Sequence, residues 1–284
     1  MSAEADLRGR LARAGYRPSR RLGQNLLCDP NLATAIVRDA GVRAGEVVLE
    51  VGPGAGALTR PLLAAGARVL AIEIDSRLAD ELETALAGEA ALEVIRTDVL
   101  ASKHRLADAV LERLPGDVDW SCVSNLPYSV SGPVLALLAR LEHPPRHVTV
   151  LVQKEVAERL AASPGTKAWG PLGLRIQSVF DVRAGREVSR DVFWPRPAVA
   201  SQLVHMRREP GALDRGRLER LDTLIERVFG RRRQTLARVL KDALGDRAAA
   251  EALLEQCGID GTRRAETLAL EELDRLAAEA TWKN

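Results

Sequence analysis

The sequence predicts an α/β fold, a doubly wound, mostly parallel sheet followed by a small all-helical C-terminal domain. Three observations carry that prediction. Short apolar runs alternate with segments of helical periodicity as far as Met206. A glycine-rich turn, Gly52-Pro53-Gly54-Ala55-Gly56, joins a nearly continuous apolar run to leucines at helical spacing. Beyond Glu209 the strand signal stops, and helical stretches broken by Gly230, Gly245 and Gly258 take over. The expected division is a first domain over residues 1–208, with a basic N-terminal arm, and a helical domain over residues 209–284.

Each element has a local reason. A short helix is expected from Asp6 to Ala14. Asp29-Pro30 starts the next one, running from Pro30 to Ala40, because Asp caps a first turn and Pro suits it; Gly41 ends it. Glu46–Val51 reads as a buried parallel strand, and Leu58, Leu62 and Leu63 mark the helix after the glycines. Arg68–Glu73 is the next strand, and Asp75-Ser76 caps a helix through Leu86. Leu92–Arg96 is a third strand, with a polar helix expected from Lys103 to Leu114. A fourth strand ends at Asn125, where Pro127 forbids the ladder to continue. A helix over Pro133–Leu141, a strand over His147–Val152 and a helix over Glu155–Ala162 follow. Leu172–Phe180 is expected as a helix over the sheet, Arg183–Pro197 as irregular, and Val199–Met206 as the last strand. The C-terminal helices are expected over Arg217–Phe229, Arg231–Leu244, Ala248–Cys257 and Leu270–Ala280.

The net charge of +2 hides an uneven distribution, with arginines crowding the chain up to Arg38 and the stretch from Arg43 to Arg140 leaning acidic. That asymmetry suits a polyanion touching the flanks. Cys28, Cys122 and Cys257 are far apart and odd in number, and with the four histidines they make no metal-ligand spacing. Reduced thiols, no metal and a cytoplasmic location are expected. No apolar run is long enough to span a membrane, and no secretory signal opens the chain.

The candidate site is read from the strand ends. Gly52, Glu73, Asp98 and Asn125 all fall at strand carboxyl ends, the edge where open α/β sheets bind ligands. Glu73 stands about twenty residues beyond the glycines, where a carboxylate can hold a ribose diol. Ser124-Asn125-Leu126-Pro127-Tyr128 suits the exocyclic amine of a flat heterocycle: the Asn125 oxygen and the Leu126 carbonyl accept its hydrogens, and Tyr128 stacks on the ring. The compact Gly52-x-Gly54-x-Gly56 spacing, preceded by Glu50, departs from the spacing that seats a pyrophosphate. S-adenosylmethionine, which has a ribose and an adenine but no diphosphate, is the expected cofactor.

These motifs resemble the KsgA family of ribosomal RNA adenine dimethyltransferases, from about Arg20 to Leu270. Gly23-Gln24-Asn25-Leu26-Leu27 is similar to the family's Gly-Gln-Asn-Phe-Leu signature, and Glu50 to Gly56 to its cofactor loop. Ile72-Glu73-Ile74-Asp75 and Thr97-Asp98-Val99 are similar to the segments holding ribose and adenine. Asn125-Leu126-Pro127-Tyr128 resembles the catalytic motif, and Phe193 to Ser201 the segment over the target base. Phe229 to Leu236 and Arg264 to Leu268 resemble the C-terminal signatures. The resemblance implies a class I, Rossmann-like methyltransferase. Its cofactor contacts would come from Gln24, Asn25, Leu27, Glu50, Gly52, Gly54, Gly56, Glu73, Ile74, Asp98, Val99 and Asn125. Tyr128 and Phe193 would sandwich the base, and Arg20, Arg21, Arg196, Arg231, Arg232 and Arg233 would contact RNA. The implied substrate is two adjacent adenosines near the 3′ end of 16S rRNA, in the small subunit or its assembly intermediate, with a monomer as the acting form. Macrolide-resistance methylation of 23S rRNA, DNA adenine methylation and a non-catalytic assembly role are the alternatives. Leu26 stands where the family usually has Phe and Trp169 where a Tyr is common, which places ring contacts near cofactor and substrate in question.

Overall fold

The computed structural model describes residues 9, 11, 13, 15–19, 21–231 and 233–282. The expected helix from Asp6 to Ala14 falls largely outside them, although Gly9, Leu11 and Arg13 are helical, and Arg20 and Arg232 lie outside them altogether. The chain divides into two compact units, one reaching Ala157 and adding Val182–Arg208, the other formed by Glu158–Asp181 with Glu209–Asn284. Against the expected boundary, residues 158–181 therefore belong with the helical part.

In the first unit the strands are β1 (Leu26–Leu27), β2 (Val47–Val51), β3 (Arg68–Glu73), β4 (Leu92–Arg96), β5 (Leu100–Ser102), β6 (Arg105–Leu106), β7 (Trp120–Asn125), β8 (His147–Gln153), β9 (Phe180–Val188), β10 (Phe193–Trp194) and β11 (Ser201–Arg208). The central sheet runs β4-β3-β2-β7-β8-β11-β9. Strands β4, β3, β2, β7 and β8 are parallel, and β11 lies antiparallel on β8, opposing Ser201 to Gln153. Val48, Leu49, Ala71, Cys122 and Val150 are wholly buried, which is why their segments read as unbroken apolar runs. The helix Pro30–Ala40 is capped as its sequence requires, with Asp29 Oδ1 accepting from the amides of Asn31 and Leu32 at 2.9 and 3.1 Å. Among the described residues, no helix is long and apolar enough to cross a membrane.

Several expectations are corrected. Residues 100–106 form a hairpin, Leu100 opposite Leu106, in place of the first half of the Lys103–Leu114 helix. It buries Leu106 to 3% exposure, and the helix is left with Asp108–Leu111. Strand β9 runs through Val188, into the first part of the stretch expected to be irregular: as an edge strand it exposes Arg183, Arg186 and Glu187, so no alternation marks it. The helix Pro171–Gln177, expected over the sheet, belongs to the second unit, where its Leu174 is buried with Trp169, Leu221, Leu240 and Leu276. The helix expected from Arg231 begins at Leu236. Gln234 N closes a turn on the Arg231 carbonyl, and Leu236 N donates to the carbonyl of Arg263 at 2.7 Å, outside any helical turn. The remaining helices of the second unit span Arg215–Phe229, Arg247–Cys257 and Leu270–Glu279.

Candidate active site

A cavity of about 350 Å³ opens at the carboxyl ends of β2, β3, β4 and β7. Gly52, Glu73, Asp98 and Asn125 all line it, each from the end of a different strand. Gln24, Asn25 and Leu26 form a facing wall, and Ile74, Val99 and Leu126 give it apolar surface. Ile74 is 47% exposed, unusual for a large aliphatic side chain, and it is exposed into this opening.

The glycine loop spends its amides on the protein itself. Gly52 N donates to the Ile72 carbonyl at 2.9 Å, Gly56 N to Pro53 at 3.0 Å, and Gly54 N to Glu73 Oε2 at 3.0 Å. None of these three amides is left to cradle a phosphate, so the loop does not fit a dinucleotide. Gly52 has φ 70°, and a Cβ there would lie 3.0 Å from the Pro127 ring, so the glycine loop and the turn after β7 are in direct contact. Glu73 is 4% exposed, and Asp75 N donates to its Oε1 at 2.9 Å. Burial raises its pKa, and the backbone amides of Asp75 and Gly54 counter that rise. Each oxygen keeps a lone pair for a further donor such as a diol. Asp98, exposed at its strand end, accepts from Leu100 N at 2.9 Å through Oδ1.

Asn125 is held from across the cavity: its Nδ2 donates to the Asn25 carbonyl at 2.7 Å. This bond fixes which way the amide faces and leaves Oδ1 as the acceptor. Leu126, 1% exposed, anchors the next peptide through its amide to the Leu151 carbonyl at 3.1 Å. The Tyr128 hydroxyl meets Ser201 Oγ at 2.5 Å, which pins the ring from the start of β11. Burial raises the Tyr128 pKa, opposed by Ser201.

A family model described as "Ribosomal RNA adenine dimethylase" matches residues 16–281. The chain belongs to the ribosomal RNA adenine dimethylase family. It is 41% identical over 274 residues to "Ribosomal RNA small subunit methyltransferase A" of Thermobifida fusca, covering 96% of this chain and 94% of that one. Its identity to the protein of the same description from Leifsonia xyli subsp. xyli is 44% over 282 residues, covering 96% of each. Among solved structures it is similar to the 23S rRNA methyltransferase ErmE, at 28% identity and TM-score 0.67 over 89% of this chain and 98% of that one. A dimethyladenosine transferase from Plasmodium falciparum shares the fold at TM-score 0.73 and 24% identity, over 88% of this chain and 95% of that one.

S-adenosylmethionine is the cofactor of this dimethylase, and the cavity has the chemistry to hold it: two carboxylates for a diol and an amine, apolar Ile74 and Val99 for a flat ring, and no phosphate cradle. Not every expected contact residue reaches the cavity. Glu50 points away from it, 2% exposed, and its Oε2 accepts from the Thr59 hydroxyl at 2.7 Å. Burial, partly offset by Thr59 and reinforced by Glu73, pushes its pKa up to about 8. Gly56 faces the helix Ser76–Ala85 instead, where a Cβ would come within 2.8 Å of Leu82. Leu27 and Phe193 pair across β1 and β10 and are both buried in the main core, at 2% and 4% exposure. Phe193 as placed offers little face to a base. Trp169 is 1% exposed in the core of the second unit, with Nε1 donating to the Leu268 carbonyl at 3.1 Å, so it is a core ring and not a substitute contact.

Arg21 lines the cavity. Arg196 pairs with Asp191 at 2.7 Å, Arg231 pairs with Asp242, and Arg233 is exposed. Sequence reasoning missed Tyr16, whose hydroxyl reaches Asp75 and Gln24, and Ser201 as the partner of Tyr128. The available signal for Tyr16 was its rarity, as one of two tyrosines beside the Gly-Gln-Asn segment.

Proposed function

We infer that the protein transfers methyl groups from S-adenosylmethionine to the N6 amine of two adjacent adenosines near the 3′ end of 16S rRNA, giving N6,N6-dimethyladenosine. The observation that carries this reading is the oriented Asn125 amide beside the anchored Leu126 peptide, two acceptors at the end of β7. Small-subunit RNA is favoured because the relatives from Thermobifida fusca and Leifsonia xyli, 41% and 44% identical over almost the whole chain, are described as small-subunit methyltransferases.

The bound cofactor supplies an electrophilic methyl on a sulfonium. Glu73 would hold the ribose diol, Asp98 would accept from the cofactor's amine, and Ile74 and Val99 would give its ring apolar surface. Gln24, Asn25, Gly52 and Gly54 complete the enclosure, whereas Leu27, Glu50 and Gly56 support it from behind. At the target base, the Asn125 oxygen and the Leu126 carbonyl accept the two amine hydrogens. Conjugation into the ring weakens the amine as a nucleophile, so holding its lone pair towards the methyl does most of the work. Pro127 fixes the turn and Tyr128 stacks on the base. Phe193, from within the core, carries the segment over the base and does not present a face to it. The amine becomes acidic once alkylated, so water can take its proton and no strong base is needed. After one transfer a single hydrogen remains for Asn125 or Leu126 to accept, and the second transfer repeats the geometry.

The first unit, reaching Ala157 and adding Val182–Arg208, carries this chemistry in the proposal, and the helical unit of Glu158–Asp181 with Glu209–Asn284 binds RNA. Arg21, Arg196, Arg231 and Arg233 are the described candidates for phosphate contact, with Arg20 and Arg232 beside them in sequence. The protein acts as a monomer on the small subunit or its assembly intermediate, in the cytoplasm. The test is to incubate the protein and Asn125→Ala with labelled S-adenosylmethionine and unmethylated small or large subunits, then digest to nucleosides. Labelled N6,N6-dimethyladenosine from small subunits, reduced about 100-fold or more in the variant, is the expected result. Label confined to large subunits would replace the small-subunit reading with the resistance type. No label from either, with RNA bound, would leave a non-catalytic assembly factor.

A further inference from the structure

Tyr16 has no part in the chemistry above, yet it is tied to it. It is 4% exposed, packed with Leu11, Leu26 and Leu78, edge-on to Trp194 at 6.4 Å, and under the Arg77 guanidinium at 5.3 Å. Its hydroxyl lies 2.8 Å from Asp75 Oδ2 and 2.9 Å from Gln24 Oε1. A phenol has one proton to give. Ser19 N already donates to Gln24 Oε1 at 2.6 Å, and a carboxylate is the stronger acceptor, so the hydroxyl donates to Asp75. Gln24 Nε2 donates to the same Asp75 oxygen at 3.0 Å. Burial works against the ionised Asp75, but the bonds from Gln24 and Tyr16 outweigh it and hold the pKa below the usual range. Asp75 is itself fixed, because its Oδ1 accepts from Arg77 N and caps the helix Ser76–Ala85.

Both ends of the Gln24 amide are thereby clamped, and the next residue along the chain supplies the carbonyl that orients Asn125. An Asn amide has a broad, roughly two-fold torsion, and without a fixed acceptor for Nδ2 it also populates the flipped form. Flipped, it presents an NH2 group to the target amine and repels it. We propose that Tyr16 is a positioning residue for methyl transfer: through Asp75 it clamps Gln24, which keeps the Asn25 carbonyl where it sets the face of the Asn125 amide. The proposal rests on the reading that Asn125 holds the target amine.

The test is a double-mutant cycle in single-turnover methylation of unmethylated small subunits with saturating S-adenosylmethionine. Tyr16→Phe keeps the buried ring and removes the hydroxyl, while Asp75→Asn keeps a helix-capping side chain and removes the charge. Each is expected to slow the step about tenfold, the partial expression of one lost charge-assisted hydrogen bond. Cofactor affinity, by calorimetry, should fall by less than the rate does, because Gln24 and Asn25 line the cavity but neither Tyr16 nor Asp75 does. In an Asn125→Ala background, Tyr16→Phe should cost nothing more. The same loss in both backgrounds, or a loss seen only as weaker cofactor binding, overturns the proposal while the role of Asn125 stands. An Asn125→Ala enzyme as fast as wild type overturns both.

Discussion

Glu50 predicts an inverted pH dependence of stability. Its carboxyl is wholly buried and holds its proton up to about 8, against an ordinary 4.5, chiefly because burial penalises the charge. Between those values the native state binds a proton that the unfolded chain has released, so stability falls as pH rises through the window. The loss is about 1.4 kcal/mol per pH unit, or about 3 kcal/mol between pH 6 and pH 9. Glu50→Gln keeps the shape and an oxygen to accept from Thr59, but cannot ionise. Urea unfolding of wild type and variant at pH 6 and pH 9 isolates this group, because the other titrations are common to both. The variant should exceed wild type by about 2 kcal/mol at pH 6 and by about 5 kcal/mol at pH 9, so that the gap widens by about 3 kcal/mol between them. Parallel pH dependence in the two proteins would refute the reasoning, as would a variant weaker than wild type at pH 9.

Gly52→Ala puts a Cβ at positive φ, 3.0 Å from the rigid Pro127 ring; the backbone strain costs about 1–2 kcal/mol, lowering Tm by about 2–8 °C, and the displaced turn should slow methylation about tenfold or more. Calorimetry and initial rates check this, and an unchanged rate and Tm would contradict it. Ser201→Ala releases the Tyr128 hydroxyl and should raise the KM for RNA severalfold with cofactor affinity unchanged, read from titrations of each substrate. Arg233→Ala should weaken RNA binding and lower the slope of log affinity against log salt by about one, measured by filter binding across a salt series. Leu221→Ala, at a wholly buried position in the second unit, should cost about 2–5 kcal/mol in urea unfolding.

What was legible in the sequence follows a physical boundary. Strand β3 ends where its apolar run predicts, because both faces of a buried parallel strand must be apolar and the run is its own signature. The four cavity residues Gly52, Glu73, Asp98 and Asn125 were readable for the same reason, since a strand's end and its side of the sheet follow from chain order. Side-chain direction was not readable. Glu50 and Gly56 belong to the cofactor loop by sequence, yet one turns to Thr59 and the other to Leu82, because alternation and packing decide where each points. Strand β9 carries edge-strand charges that hide its period, and Phe193 reads as a displayed ring although its pairing with Leu27 buries it. The link from Tyr16 to Asp75 joins residues far apart in the chain, and no local pattern announces such a contact.

The two-residue ribbon of β1 and β10 sets Leu26 opposite Trp194 and Leu27 opposite Phe193. It fastens residues 23–27 to the segment that begins at Phe193, so the side chains of one become the mould for the other. Leu26 is smaller than a Phe, and it faces the largest ring an amino acid offers. Placing Phe at position 26 alone would crowd Trp194, and transplanting either segment into another chain would require its facing strand to travel with it.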